Sequence, residues 1–386
     1  MHVQILGTRG IPSQHGGFET FAQDLAFHLV DKGHKVTVYC QIDEQDRPRE
    51  DCWHGVRRIM IPASDDAPGT MWFDWKSVLH AVREEGVALT LGYNTAIFSA
   101  VYRAAGHPHI MNMDGIEWKR RKWSAPAKLW LRMNEWFGAR LADHLVADHP
   151  RIADHLSRHT NHNKITVIPY GSRERPVRDD SVLDQYGLIP CGYYLVIARP
   201  EPENSLLEIV SAYSAKKRTA PLIVLGKYVA SEPYHAKVLA SASDNVLFPG
   251  AIYDRPVVAA LRHHARAYIH GHQVGGTNPS LVESLALGNA VIAHDNVFTR
   301  WVNGNAAMYF RDETSLQAVF DSIDGSPDML KPMREMSISR FKDDFRQDSI
   351  LTKYEMLLSH FAGMDNVAHD EYVPEITGAA ISVSAD

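Results

Sequence analysis

The chain has 386 residues, 45% hydrophobic and 22% charged, with a mean hydropathy of -0.25 and a formal net charge of -6. That composition excludes collagen-like, disordered and small disulfide-stapled classes, and the length predicts about two domains, each with its own core. The negative charge argues against a general nucleic-acid binder, and no apolar run reaches the about 18 residues that span a bilayer.

MHVQILGTRG runs straight into a strand pattern, so no signal peptide is expected, and Cys40, Cys52 and Cys191 make no C-x-x-C pair, which points to a reducing compartment. Runs rich in Val, Ile and Leu alternate with longer amphipathic stretches, the pattern of parallel α/β domains. Strands are expected at HVQILG, KVTVYC, VRRIMI, VALTLG, HIMNMD, HLVADH and KITVIP, with helices over 18–32, 76–84, 126–142 and 151–158. The stretch 172–192 has little apolar pattern and reads as a linker. A second series follows at YYLVIA, PLIVLG, NVLFPG, AYIHGH, AVIAHD and AAMYF.

The expected architecture is α/β: two Rossmann-like parallel-sheet domains, 1–171 and 193–339, joined once and facing across a cleft. A helix over 340–362 is expected next, packing back on the first domain. The last segment, 363–386, carries Asp365, Asp370, Glu371, Glu375 and Asp386 without Lys or Arg, and is expected to be disordered. Ligands of such sheets bind outside the carboxyl ends of the strands, so the loops there hold the candidate residues.

The first strand ends in GTRGIPSQHGGFET. Gly7 and Gly10 suit a tight turn, while Gly16 and Gly17 stand at a helix start, where free N–H groups and the macrodipole favour a phosphate. The loop fits neither G-x-G-x-x-G nor the P-loop pattern. In the second half, GGTNPSLVESLALGNAVIA is a loop feeding a helix that begins near Ser280. Thr277, Asn278, Pro279 and Ser280 are candidate contacts to an anionic ligand there. His272, at a strand end, is another.

GTRGIP, GGFET and KGHKVTVYC resemble the opening of the retaining, nucleotide-sugar-dependent glycosyltransferases of family four, which have the GT-B fold. The wording is closest to a bacterial branch labelled rhamnosyltransferase-like, and the resemblance continues through DGIEWKRRKWS, ARPEPENS and GGTNPSLVESLALGNAVIA. It implies that Glu283 holds the ribose hydroxyls, Arg199 pairs with the donor diphosphate, and Ile252 lies where the base is seated. It also places Asp114 beside the reaction centre. Two positions depart from the family pattern: Gly275 stands where a sugar-contacting glutamate is usual, and Asn204 where a second cation is usual. Lys227, after a neighbouring strand, is a substitute cation.

Arg9, Glu117, Trp118 and Arg120 are the candidate acceptor contacts. Seven Lys or Arg fall within 119–140, and Leu129, Trp130, Met133, Trp136, Phe137 and Leu141 recur at helical spacing. This stripe has two readings: contact with an anionic membrane surface, or packing on its own sheet. No metal site is expected. No Asp-x-Asp occurs, and His155 and His159, four apart in HLSRH, lack the glutamate of H-E-x-x-H and a third ligand, so they read as a surface pair.

These readings converge on a glycosyltransferase. It is expected to move a sugar, rhamnose from dTDP-rhamnose being one candidate, from a nucleoside-diphosphate donor to a hydroxyl of a glycan or lipid-linked saccharide. Retention without metal is what the resemblance implies, and no cofactor is expected; the cysteines point to the cytoplasm, and the membrane reading of the stripe would place the chain at the inner face of the plasma membrane. The alternatives are a nucleotide-sugar epimerase of the same fold and a catalytically degenerate transferase that acts as a scaffold.

Overall fold

The computed structural model describes residues 1–13, 17–120, 123–173 and 180–363. Gly16, part of the linker and the acidic tail from residue 364 onward lie outside the described residues. In the first half the strands are β1 His2–Leu6, β2 Lys35–Ile42, β3 Arg49–Trp53, β4 Val56–Pro62, β5 Val87–Leu91, β6 His109–Asn112, β7 His144–Ala147 and β8 Ile165–Val167. Its helices are α1 Gly17–Asp31, α2 Ala67–Ala81, α3 Ser99–Ala105, α4 Ala125–Leu141 and α5 Pro150–Leu156. The eight strands form one sheet in the order β3-β4-β2-β1-β5-β6-β7-β8, parallel except for the β3–β4 hairpin.

The second half supplies β9 Tyr194–Ile197, β10 Leu222–Leu225, β11 Val246–Gly250, β12 Ala267–His270, β13 Val291–His294 and β14 Ala307–Phe310. Around them run α6 Leu206–Ser214, α7 Pro233–Ala240, α8 Arg255–His263, α9 Pro279–Ala286, α10 Val297–Asn303, α11 Glu313–Gly325, α12 Leu330–Asp344 and α13 Gln347–Phe361. This sheet is parallel in the order β11-β10-β9-β12-β13-β14, the doubly wound arrangement. Buried aliphatic residues fill both faces of each sheet, as parallel sheets require. The switch points fall between β1 and β5 and between β9 and β12. They put the loops after β1, β5, β9 and β12 where a ligand would sit.

The elements differ from the sequence expectation in places with a physical reason. β3 is a polar edge strand, REDCW, held by cross-strand ion pairs: Arg57 with Glu50 and Arg58 with Asp51. Apolar patterning cannot reveal such a strand. Helix α2 begins nine residues before the expected 76, because Asp66 caps it by accepting from the Gly69 N–H and Pro68 occupies its first turn. The helix expected over 340–362 is two helices. Phe345 is fully buried beside Trp301 in the second domain, whereas Ile350, Leu351, Tyr354 and Leu358 enter the core of the first. One straight helix cannot serve both cores, and the chain breaks between them. The domains are therefore joined twice and not once.

Of the two readings of the α4 stripe, full packing on its own sheet is not what the structure shows. The helix's buried face is Leu131, Asn134, Glu135, Gly138 and Ala139, while Leu129, Met133 and Trp136 are 61%, 42% and 43% exposed. Among the described residues no helix is long and apolar enough to cross a membrane.

Candidate active site between the two sheets

The loops after β6 and β7 of the first sheet meet the loops after β9 and β12 of the second. After β6, Asp114 adopts a left-handed backbone (φ 50°) with its N–H on the Asn112 side chain, 2.9 Å away. That turn carries Gly115 against the second domain, where a Cβ on it would lie 3.9 Å from the Gly275 Cα. After β7, Asp148 is 2% exposed and faces the same glycine loop. Its Oδ2 accepts the Thr277 N–H at 2.9 Å, and its carbonyl accepts the Thr277 hydroxyl. A Cβ on Gly276 would come within 2.2 Å of Asp148 Oδ1, so only glycine allows this contact. Burial pushes the Asp148 carboxyl up to about 8, with the nearby Asp114 charge adding to the shift. Sequence reasoning missed Asp148; its place at a strand end, in HLVADH, was the available signal.

On the second sheet, β9 delivers Arg199. Its side chain is exposed and makes no hydrogen bond or ion pair among the described residues. Asn204 does not project beside it. That residue is 6% exposed and donates through Nδ2 to the Arg199 carbonyl at 2.8 Å, so it shapes the loop that presents the arginine. After β12, His272 stacks on His270 with ring centroids 4.2 Å apart. Burial brings His272 down to about 4, assisted by the charges of Arg199 and Arg120, so it is neutral at physiological pH. Lys227 after β10 is exposed, and Ile252 packs at the edge of the apolar cluster beneath β9 and β12.

The α9 residues are partly engaged. Asn278 caps the helix by accepting the Ser280 N–H, and Pro279 takes its first position. The Ser280 hydroxyl accepts from Arg262 Nη2 at 2.7 Å. Arg262 is 3% exposed, and its other nitrogen, Nη1, pairs with Glu283. The Glu283 side chain remains 43% exposed, so the pairing orients a carboxylate that a ligand can still reach. Nothing in the sequence marked Arg262 as its partner. Gly275 has φ 131°, a backbone region that a glutamate rarely adopts, so the loop is built around glycine at this position.

The candidate acceptor residues are largely committed to structure. Arg120 donates from Nε and Nη2 to Glu203 Oε1 of the second domain at 3.0 and 2.9 Å, and from Nη1 to Glu117 at 2.9 Å. Glu117 also accepts the Trp123 Nε1–H at 3.2 Å, and Trp118 donates to Glu135 at 2.9 Å. Arg9 pairs with Asp65 at 3.1 Å and lines a cavity of about 570 Å3, walled by first-domain residues that include Arg49, Arg58 and Ser64. Gly17 opens α1 with no atom within 4 Å of a Cβ built on it. His155 and His159 are not a surface pair. Both face the buried Glu135, with Nε2–Oε1 distances of 2.8 and 3.6 Å.

The cleft thus offers an exposed arginine, an oriented carboxylate and glycine-rich backbone at one rim, and the buried Asp148 with the half-buried Asp114 and Glu117 at the other. The fold is that of the GT-B glycosyltransferases. Sucrose-phosphate synthase from Thermosynechococcus elongatus superposes with a TM-score of 0.79 at 14% identity, covering 94% of this chain and 99% of its own. HepE from Anabaena, solved with UDP, gives 0.74 at 14% identity, with 93% and 100% covered. A UDP-forming trehalose-phosphate synthase from Burkholderia xenovorans, solved with glucose-6-phosphate, gives 0.70 at 11% identity, with 93% and 100% covered. Residues 1–173 match the family described as "Domain of unknown function (DUF1972)". No curated protein matches the chain in sequence.

Proposed function

We propose that this chain is a retaining glycosyltransferase that takes a sugar from a nucleoside-diphosphate donor held on the second domain. The observation that carries the reading is Arg199: an exposed guanidinium, unpaired among the described residues, at the carboxyl end of β9 and the switch point of a sheet with this fold. A planar fork of donors suits diphosphate oxygens. Glu283, held by Arg262, accepts the two ribose hydroxyls, and His272 and the Gly275–Asn278 backbone lie against the phosphates and sugar. As the bond between sugar and diphosphate breaks, negative charge grows on the leaving phosphate and Arg199 meets it. That phosphate takes the acceptor proton, so no protein base is required. Asp114 lies beside the reacting carbon and steadies the positive charge on the sugar. Closure of the cleft through the Asp148–Thr277 and Arg120–Glu203 contacts excludes water.

The acceptor hydroxyl enters from the first domain, whose Arg9-lined cavity has the size and mixed polarity for a saccharide. A growing bacterial surface glycan on a lipid carrier, and rhamnose as the transferred sugar, follow from the motif resemblance. Contact with an anionic membrane is supported by the exposed Leu129, Met133 and Trp136, flanked by Lys128, Arg132 and Arg140.

The test is a thermal-shift panel of dTDP, UDP and GDP sugars, followed by turnover with the donor that stabilises most. Glu283→Gln should weaken that donor and its free nucleotide alike, by about 10- to 100-fold. A protein stabilised by no nucleotide sugar is not this enzyme. For the membrane, reversing charge at Lys128, Arg132 and Arg140 should lower binding to anionic vesicles by about 1 kcal/mol per residue, with a salt dependence. Indifference to both charge and salt leaves α4 without that role.

A further inference from the structure

We propose that Glu135, His155 and His159 form a binding site for a divalent metal ion of the zinc type, tying α4 to α5 beside Trp118. The residues lie outside the donor cleft described above, and the inference is independent of the transferase reading. Glu135 projects from α4 and is 2% exposed, while the two histidines stand four apart on the last turns of α5 and beyond. His155 Nε2 lies 2.8 Å and His159 Nε2 3.6 Å from the same oxygen, Oε1, and the three ligand atoms all lie within 4.8 Å of one another. Tetrahedral zinc, with bonds of ~2.0–2.2 Å to imidazole and carboxylate, sets ligand atoms about 3.3–3.5 Å apart. The observed spacings bracket that value, so small rotamer shifts admit the ion.

Two imidazoles and one carboxylate are a donor set that first-row divalent ions prefer, with zinc the most fitting for three ligands and an open fourth position. The His159 side chain is 30% exposed, which gives the ion an entry path and leaves room for a water. The other carboxylate oxygen is already fixed, because Trp118 Nε1–H donates to Oε2 at 2.9 Å. An outer hydrogen bond of that kind is how proteins orient a ligating carboxylate. Arg132 and Arg140 stack over the Trp118 and Trp136 rings, 5.6 and 5.1 Å from the centroids. Their charges oppose the ion; Arg140 Nε donates to the His159 carbonyl at 2.8 Å, and neither arginine reaches a ligand side chain among the described residues. Bound metal would fix Trp118 and stiffen the loop that carries Glu117 and Arg120.

The experiment is titration of the purified, chelator-stripped full chain with zinc, followed by calorimetry, and with cobalt, followed by visible absorption. One equivalent of zinc, tetrahedral cobalt bands displaced by zinc, and a raised Tm are expected. His159→Ala, at the most exposed ligand, should weaken zinc by at least about 100-fold while circular dichroism shows the fold retained. Trp118→Phe should weaken it by about 10-fold through the lost outer hydrogen bond. A parent chain that takes up neither ion overturns the site. So does uptake that survives both His155→Ala and His159→Ala, since the metal then sits elsewhere among the 21 histidines.

Discussion

The two rims of the cleft spend their charged residues differently. On the second sheet, Arg199 and Lys227 stay exposed, and Glu283 is held by the buried Arg262, which also donates to Ser280 and lies over the Tyr268 ring. On the first sheet, Arg120, Glu117 and Trp118 are drawn into ion pairs and hydrogen bonds, and the carboxyl group of Asp148 is buried under the opposing loop. The comparison teaches that a strand-end residue in a motif is only half an assignment. A charged side chain without a partner is available to a ligand, whereas one with two partners already has a structural task.

Arg199→Ala breaks the comparison most severely. Turnover should fall by at least about 100-fold, the scale of one lost oriented donor, with Tm unchanged because the side chain pairs with no group among the described residues. Near-normal turnover would return Arg199 to the solvated surface. A smaller effect sharpens the other rim. Arg120→Gln and Glu203→Gln should each lower turnover by a similar amount, on the order of 10-fold, and the double variant should do no worse. An Arg120 that instead grips the acceptor would show a far larger loss than Glu203→Gln, expressed in the KM for acceptor.

The least effect on turnover is expected from Asp148→Asn, read as stability. The carboxyl titrates near 3.9 when unfolded and at about 8 when buried in the fold. Between these values the unfolded chain has lost a proton that the folded chain keeps. The stability present below pH ~4 therefore declines toward pH ~8, by up to ~1.4 kcal/mol per pH unit. Asparagine cannot ionise and still accepts the Thr277 N–H, so the variant should lose that slope. Identical Tm profiles for parent and variant from pH 4 to 8 would contradict the buried state of this group.

Both sheets were legible in the sequence because their strands are buried on two faces and read as apolar runs such as KVTVYC and YYLVIA. β3 was not, since a polar edge strand is stabilised by the partners of Arg57 and Arg58 and not by its own pattern. The break at Phe345 was hidden for another reason: two adjacent apolar stripes look continuous until the cores they enter are known. Among candidate site residues, Arg199 and Glu283 were marked by motifs. Asp148, Glu203 and Arg262 matter through contacts across 129, 83 and 21 positions, a relation that spacing along the chain does not encode. Glu135 was invisible for the same reason. It completes HLSRH from a helix that lies 20 residues earlier.

The second crossing of the chain has a mechanical meaning. Ser172, on the way out of the first domain, runs beside Arg346, on the way back. The Ser172 N–H donates to the Phe345 carbonyl at 3.0 Å, and the Gln347 N–H to the Ser172 carbonyl at 2.9 Å. A single tether would leave the domains free to tumble, slide and twist. Two strands stitched together at one level are expected to restrict the halves to a swing about that line, as paired hinge segments do. Opening and closing then reduce to a single angle. A substitution at residue 172 or 346 is then expected to alter how far or how fast the halves swing while leaving Arg199 and Glu283 as they are.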